Sequence, residues 1–176
     1  LGSGMGNLNA DARLMPTQHG GWKAGVDAES DGIALGWLGS NWLTRTGAAL
    51  SVDATVGNTK DSRSLTAEMD GELTGCVVRG RQLEPIALGG KMRNGVMEVT
   101  VASLDTTARF DLYATADMLD SVHRYGCELD LQRLDAEAFG LLPARFGEVS
   151  TRLRASLEGR DADDMGGTLR AIDTRM

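Results

Sequence analysis

The chain has 176 residues, 41% of them apolar but only 5% aromatic, and carries a net charge of −7. That length suits one domain or part of a larger protein. The negative charge, with Lys and Arg scattered singly, excludes a nucleic-acid binder, which needs a basic stripe to displace counterions. No stretch of about 18 apolar residues occurs, so no segment is expected to cross a membrane as a helix.

The start, Leu1-Gly2-Ser3-Gly4, reads as a linker or cloning scar. Residues 5–176 read as a single β-rich domain excised from a longer chain. Alternation with a period of two then dominates, the mark of strands with one apolar side. Leu8, Ala10, Ala12 and Leu14 alternate with polar residues until Pro16. Trp22, Ala24, Val26 and Ala28 form the next run, and Asp31-Gly32 is a turn signal after it. The segment from Ile33 to Leu43, with Trp37 and Trp42, has no clean period. It suits either a strand passing into a loop or a short helical turn packed on the sheet end.

Clean alternation returns with Leu50, Val52, Ala54 and Val56, and again with Leu65, Ala67 and Met69. Gly71 is expected to allow a bend, with Leu73, Gly75 and Val77 keeping the same parity. Gly80 and Arg81-Gln82 mark a turn. Ile86, Leu88 and Met92 precede Asn94-Gly95, a strong hairpin dipeptide, and Met97, Val99 and Val101 follow it. Further runs are Ala108 to Ala116, Tyr125 to Leu131, Leu153 to Leu157, and Gly167 to Ala171. One short helix is expected at Asp135 to Leu142, which has an acidic start and is followed by Pro143. Turn signals recur every ~8–12 residues, the spacing of an antiparallel meander, and there is no βαβ rhythm.

The chemistry of a catalytic site is missing from this pattern, and the chain is expected not to be an enzyme. His19 and His123 have no second ligand at zinc spacing, so neither metal nor other cofactor is assigned. Asp161, Asp163 and Asp164 lack the closing Glu of a calcium loop and read as a solvated turn. No nucleophile elbow or phosphate loop occurs outside the glycines of the first six residues. Cys76 and Cys127 suit small buried hydrophobes or a single bridge between neighbouring strands.

The last third has a distinctive order. Arg154-Ala155-Ser156-Leu157-Glu158-Gly159-Arg160 is followed by Asp161-Ala162-Asp163-Asp164-Met165-Gly166-Gly167-Thr168-Leu169. A strand ends in Gly, a polar turn with Asp follows, and an apolar residue with Gly opens the next strand. Upstream come Ser64 to Gly71, Ile86 to Lys91, the Asn94-Gly95 hairpin, and Leu129 to Leu134 running into the expected helix. Over about residues 45–173 this order resembles the TamB and AsmA-like family of translocation and assembly proteins, in the Bacteroidetes type. The two glycines after Asp164-Met165 depart from the family's usual turn.

The resemblance implies an internal or C-terminal piece of a periplasmic β-rich body. The family's inner-membrane anchor, and its membrane contact, would lie outside this chain. The implied fold is all-β, a curled antiparallel sheet with an open apolar groove; a closed β-sandwich is the alternative. The implied partners are phospholipid, moved between inner and outer membrane, and an outer-membrane β-barrel assembly protein. If the sheet curls, Leu50, Val52, Val56, Leu65, Met69, Leu88, Phe110, Leu112, Leu153 and Leu157 would line the groove. Acyl chains could lie there, gaining about 25 cal/mol per Å² of apolar surface removed from water. A different reading of the same strands is a module that presents sheet edges to outer-membrane proteins without binding lipid.

Overall fold

The computed structural model describes residues 7–18, 20–34, 43–57, 64–141, 147–160 and 164–176. Eleven strands form: β1 (Leu8–Pro16), β2 (Trp22–Ala34), β3 (Leu43–Val56), β4 (Leu65–Val78), β5 (Arg81–Gln82), β6 (Ile86–Arg93), β7 (Val96–Leu104), β8 (Ala108–Asp117), β9 (His123–Asp135), β10 (Glu148–Gly159) and β11 (Gly166–Arg175). They make one open antiparallel sheet, in the order β1-β2-β3-β4-β6-β7-β8-β9-β10-β11, with β5 paired to the end of β4. The described residues hold no second sheet and no closed barrel, so the fold is the open curled sheet and not the sandwich. The irregular segment 35–42 and the turn at 161–163 lie outside the described residues.

Two tight turns follow from residues that tolerate positive φ. Asn94 (φ 52°) and Gly95 (φ 77°) join β6 to β7 as a two-residue turn whose twist matches the strands. Arg79 (φ 50°) and Gly80 (φ 82°) do the same between β4 and β5. Three expectations need correction. Asp31-Gly32 is not a turn, because β2 runs through it. The register passes from Ser30↔Ala48 to Ile33↔Thr46, so one extra residue bulges from β2.

The second correction concerns parity in β4. Its alternation holds through Gly71 and breaks at Gly75, whose φ of 58° marks a bulge between the Gly47↔Thr74 and Arg45↔Val77 pairs. After it, Cys76 and Val78 turn to the apolar side in place of Gly75 and Val77. Gly71 has a separate reason to be glycine. A Cβ there would lie 2.4 Å from Leu50 Cδ2 and 2.7 Å from the Ala49 carbonyl oxygen.

The third concerns the expected helix, which is a single capped turn. Asp135 Oδ1 accepts the Ala138 N–H at 2.9 Å, as an N-cap does. The Gly140 N–H then donates to Glu137 O and the Leu141 N–H to Ala136 O, each at 2.8 Å, with Gly140 at φ 59°. That pair of bonds is a Schellman closure, so start and stop signals meet with no helical interior between them. The turn carries Phe139 into the main buried cluster, with Cys76, Leu83 and Ala108. Leu73, Val78, Ile86, Leu134 and Leu141 pack around it. This core occupies one end of the strands only.

Candidate functional site

In an antiparallel ladder, directly opposed residues share a face. The registers can therefore be read as rows crossing the sheet. One row runs Ala28, Leu50, Gly71, Leu88, Val101, Leu112, Leu129, Leu153 and Ala171. The next runs Val26, Val52, Met69, Gly90, Val99, Ala114, Cys127, Ala155 and Leu169. Val56 faces Leu65, Phe110 faces Leu131, and Leu157 faces Tyr125. All ten residues expected to line a groove thus lie on one side of a single sheet, and no described element covers most of that side.

Sequence reasoning left out several members of the same face. Val26, Val99, Val101, Leu129 and Leu169 complete the rows, and each was legible as an alternating strand residue. The cover at the strand ends was not legible. Leu83 sits just after β5, where its N–H donates to Cys76 O at 2.9 Å. Phe139 comes from the capped turn after β9. The Arg79 guanidinium donates to Phe139 O at 2.8 Å and to Gly140 O at 2.9 Å.

These bonds say something about shape. β4 and β9 are separated by β6, β7 and β8, which in a flat sheet would be about 19 Å at ~4.8 Å per spacing. The turn and a bend of the sheet toward its apolar side together bring the ends of these strands to one cluster. Described residues therefore cover the apolar face at one end of the strands. At the other end Ala116 is buried, while Trp22, Met97 and Leu157 around it are 43%, 38% and 37% exposed.

Asp105 fixes the loop beneath the cover. Its carboxylate accepts the Thr107 hydroxyl at 2.5 Å and the N–H groups of Thr107, Glu84 and Ala108 at 2.7, 2.9 and 3.2 Å. Burial pushes this carboxyl up, but the Thr107 hydroxyl and the three N–H donors outweigh it and hold its pKa below the usual value.

The other face is polar. Arg13 pairs with Asp27, Arg93 with Glu68, Arg152 with Asp130 and Arg154 with Glu128, at 3.3, 2.5, 2.9 and 2.9 Å. Exposed pairs of this kind contribute roughly 0–1 kcal/mol each and mainly keep the face wetted. Shallow depressions occur on this side, one of them over Asp11, Asp27, Glu29, Asp70 and Glu72.

The cysteines do not pair. Both are free; Cys76 is buried in the end cluster and Cys127 is exposed on β9. Their strands are not neighbours in the sheet, and only Cys76 behaves as a small buried hydrophobe. His123 opens β9, with its Nδ1 3.4 Å from the Tyr125 hydroxyl; His19 lies outside the described residues. Among the described residues no group of three His, Cys, Asp or Glu side chains is placed to hold a metal ion. Among the described residues no helix is long and apolar enough to cross a membrane. No family model, no curated protein and no solved structure matches this chain.

Proposed function

We propose that this chain is a periplasmic segment of a TamB-like protein. Its apolar face would be a wall along which phospholipid acyl chains pass between inner and outer membrane, in support of outer-membrane protein assembly. The observation that carries the reading is the set of apolar rows from β2 to β11, over most of which no described element lies. An apolar surface of this extent favours an apolar occupant at about 25 cal/mol per Å². The lining is mainly aliphatic, with Phe110 and Tyr125 among it and alanines and glycines between larger side chains, so it offers smooth contact with few polar partners. That suits cargo held by its chains and not by a head group. No bond-making step is assigned to any residue.

The test is lipid extraction from the purified chain followed by mass spectrometry. Phospholipid should be recovered from the wild type and lost from Leu112→Glu, with Leu153→Gln as a milder companion and circular dichroism as the check on folding. A wild-type protein free of lipid, and unable to take up a fluorescent phospholipid, would sink the reading. A second reading, a strand-presenting module for outer-membrane proteins, draws on the outer sides of β1 and β11, which pair with nothing among the described residues. It predicts binding of unfolded barrel peptides that survives Leu112→Glu.

A further inference from the structure

The capped turn over the strand ends is built as a piece of its own. Its backbone bonds close within it: the Phe139 N–H donates to Asp135 O, the Gly140 N–H to Glu137 O and the Leu141 N–H to Ala136 O, at 3.4, 2.8 and 2.8 Å. Asp135 fixes its near side, because the Asp135 N–H donates to Thr107 O at 2.8 Å. The far side is held differently. The Phe139 side chain reaches across to lie with Cys76 and Leu83, and two hydrogen bonds from Arg79 fasten the Phe139 and Gly140 carbonyls. Arg79 is itself exposed, so water competes for its guanidinium. Swinging the turn about Asp135 breaks none of the turn's own backbone bonds.

What lies under the turn belongs to the apolar face. Leu73, Ile86, Ser103, Phe110 and Leu131 oppose one another in turn across β4, β6, β7, β8 and β9. This row borders the one that contains Leu88, Leu112 and Leu129, and its Leu73 and Ile86 pack against the Phe139 cluster. Its one polar member is answered from within the sheet. Ser103 Oγ donates to Ala108 O at 2.7 Å, so lifting the turn leaves no hydroxyl there unpaired. The lifted turn would open an apolar strip continuous with the rest of the face. Water is a poor occupant for such a strip and an acyl chain a good one. Phe139 and an acyl chain are therefore alternative occupants of the same surface.

We propose that the turn at residues 135–141 is an autoinhibitory lid, in which Phe139 holds a stretch of the apolar face that an acyl chain takes when the lid swings away, and Arg79 is the latch. The ligand in this proposal rests on the lipid-wall reading; the opening itself does not. A quantitative consequence follows. Where only the open form accepts the chain along this strip, lipid affinity scales with the fraction of molecules that are open. Weakening the latch then raises opening and lipid affinity by the same factor. A turn that serves only as core packing predicts the opposite sign: loosening it disorders the face, and lipid uptake falls or stays the same.

The chain carries its own reporter of opening. In a Cys127→Ser background the one remaining thiol is Cys76, 2% exposed in the cluster that Phe139 completes. Its reaction with a maleimide is followed in lipid-free protein. Labelling should depend on urea far less steeply than global unfolding followed by circular dichroism. Arg79→Ala should label about tenfold faster, and Arg79→Gln, which keeps a donor but no charge, by a smaller factor. The same three proteins are then titrated with phosphatidylethanolamine bearing a fluorescent acyl chain. In each variant the affinity should rise by the factor found for labelling. A Cys76 thiol that reacts only through global unfolding overturns the lid. Faster labelling with lipid affinity unchanged or lower overturns the autoinhibition and leaves the lipid wall standing. No uptake by any of the three proteins overturns the lipid wall, and this inference with it.

Discussion

The guanidinium of Arg79 donates to the carbonyl oxygen of Phe139, 60 residues further along the chain, at 2.8 Å. It ties the β4–β5 turn to the capped turn after β9 and so holds the cover over one end of the apolar face. Arg79 does this from a left-handed backbone conformation, φ 50°, which costs a non-glycine residue about 1–2 kcal/mol.

Removing that side chain should therefore loosen the cover. Arg79→Ala loses charge-assisted bonds to two carbonyls, and we expect a loss of about 1–2 kcal/mol in urea unfolding, discounted for partial exposure. Arg79→Gly should recover part of it, because glycine relieves the backbone cost. An Arg79→Gly variant less stable than Arg79→Ala would show that the strain argument is wrong.

Gly71 and Gly75 are both in β4 and should fail for different reasons. Gly71→Ala forces a Cβ against Leu50 and the Ala49 carbonyl and should cost about 1–3 kcal/mol by overpacking. Leu50→Ala in the same chain should rescue only the clash with the leucine side chain. A Cβ at Gly75 meets nothing within 4 Å, so Gly75→Ala should cost about 1–2 kcal/mol through its φ of 58° alone, and Gly75→Asn less. Equal stability of Gly75→Ala and wild type would remove the bulge from the account.

Asp105 sets an acid limit on stability. Its folded pKa is depressed, so its contribution is fully present above the unfolded carboxyl value of about 3.9 and is lost as pH falls through the lower folded value. Asp105→Asn should lower stability at neutral pH by about 1–3 kcal/mol, since its side chain offers one acceptor oxygen where the carboxylate has two. It should also flatten the pH dependence below about pH 4. Parallel stability curves for variant and wild type across that range would contradict the assignment.

The two faces should answer differently to the same substitution. Leu112→Gln on the apolar side should reduce uptake of a fluorescent phospholipid, whereas Tyr113→Gln, one residue on and on the polar side, should leave it unchanged. Equal losses would mean that uptake does not discriminate between faces.

Much of the sheet was legible along the chain. The alternation in Leu50 to Val56 and in Ala108 to Ala116 gave each strand its two sides, and Asn94-Gly95 gave its hairpin. Such signals are local: side chains point alternately across a strand whatever it pairs with. Parity after Gly75 was misread because a bulge depends on how many residues the partner strand supplies. The expected helix at Asp135 to Leu142 showed true start and stop signals. Its cap at Asp135 and closure at Gly140 are simply too close together to enclose a helical interior.

By itself the sequence determined that the chain is all-β, which residues share a side within each strand, and that this side is apolar. It did so because period and turn chemistry are written in neighbouring residues. Only the tertiary structure decided that the strands form one open sheet instead of two packed ones, that ten separate residues join into shared rows, and that Arg79 and Phe139 cover one end. Those facts rest on pairing and curvature between segments far apart in the chain, which no local pattern specifies.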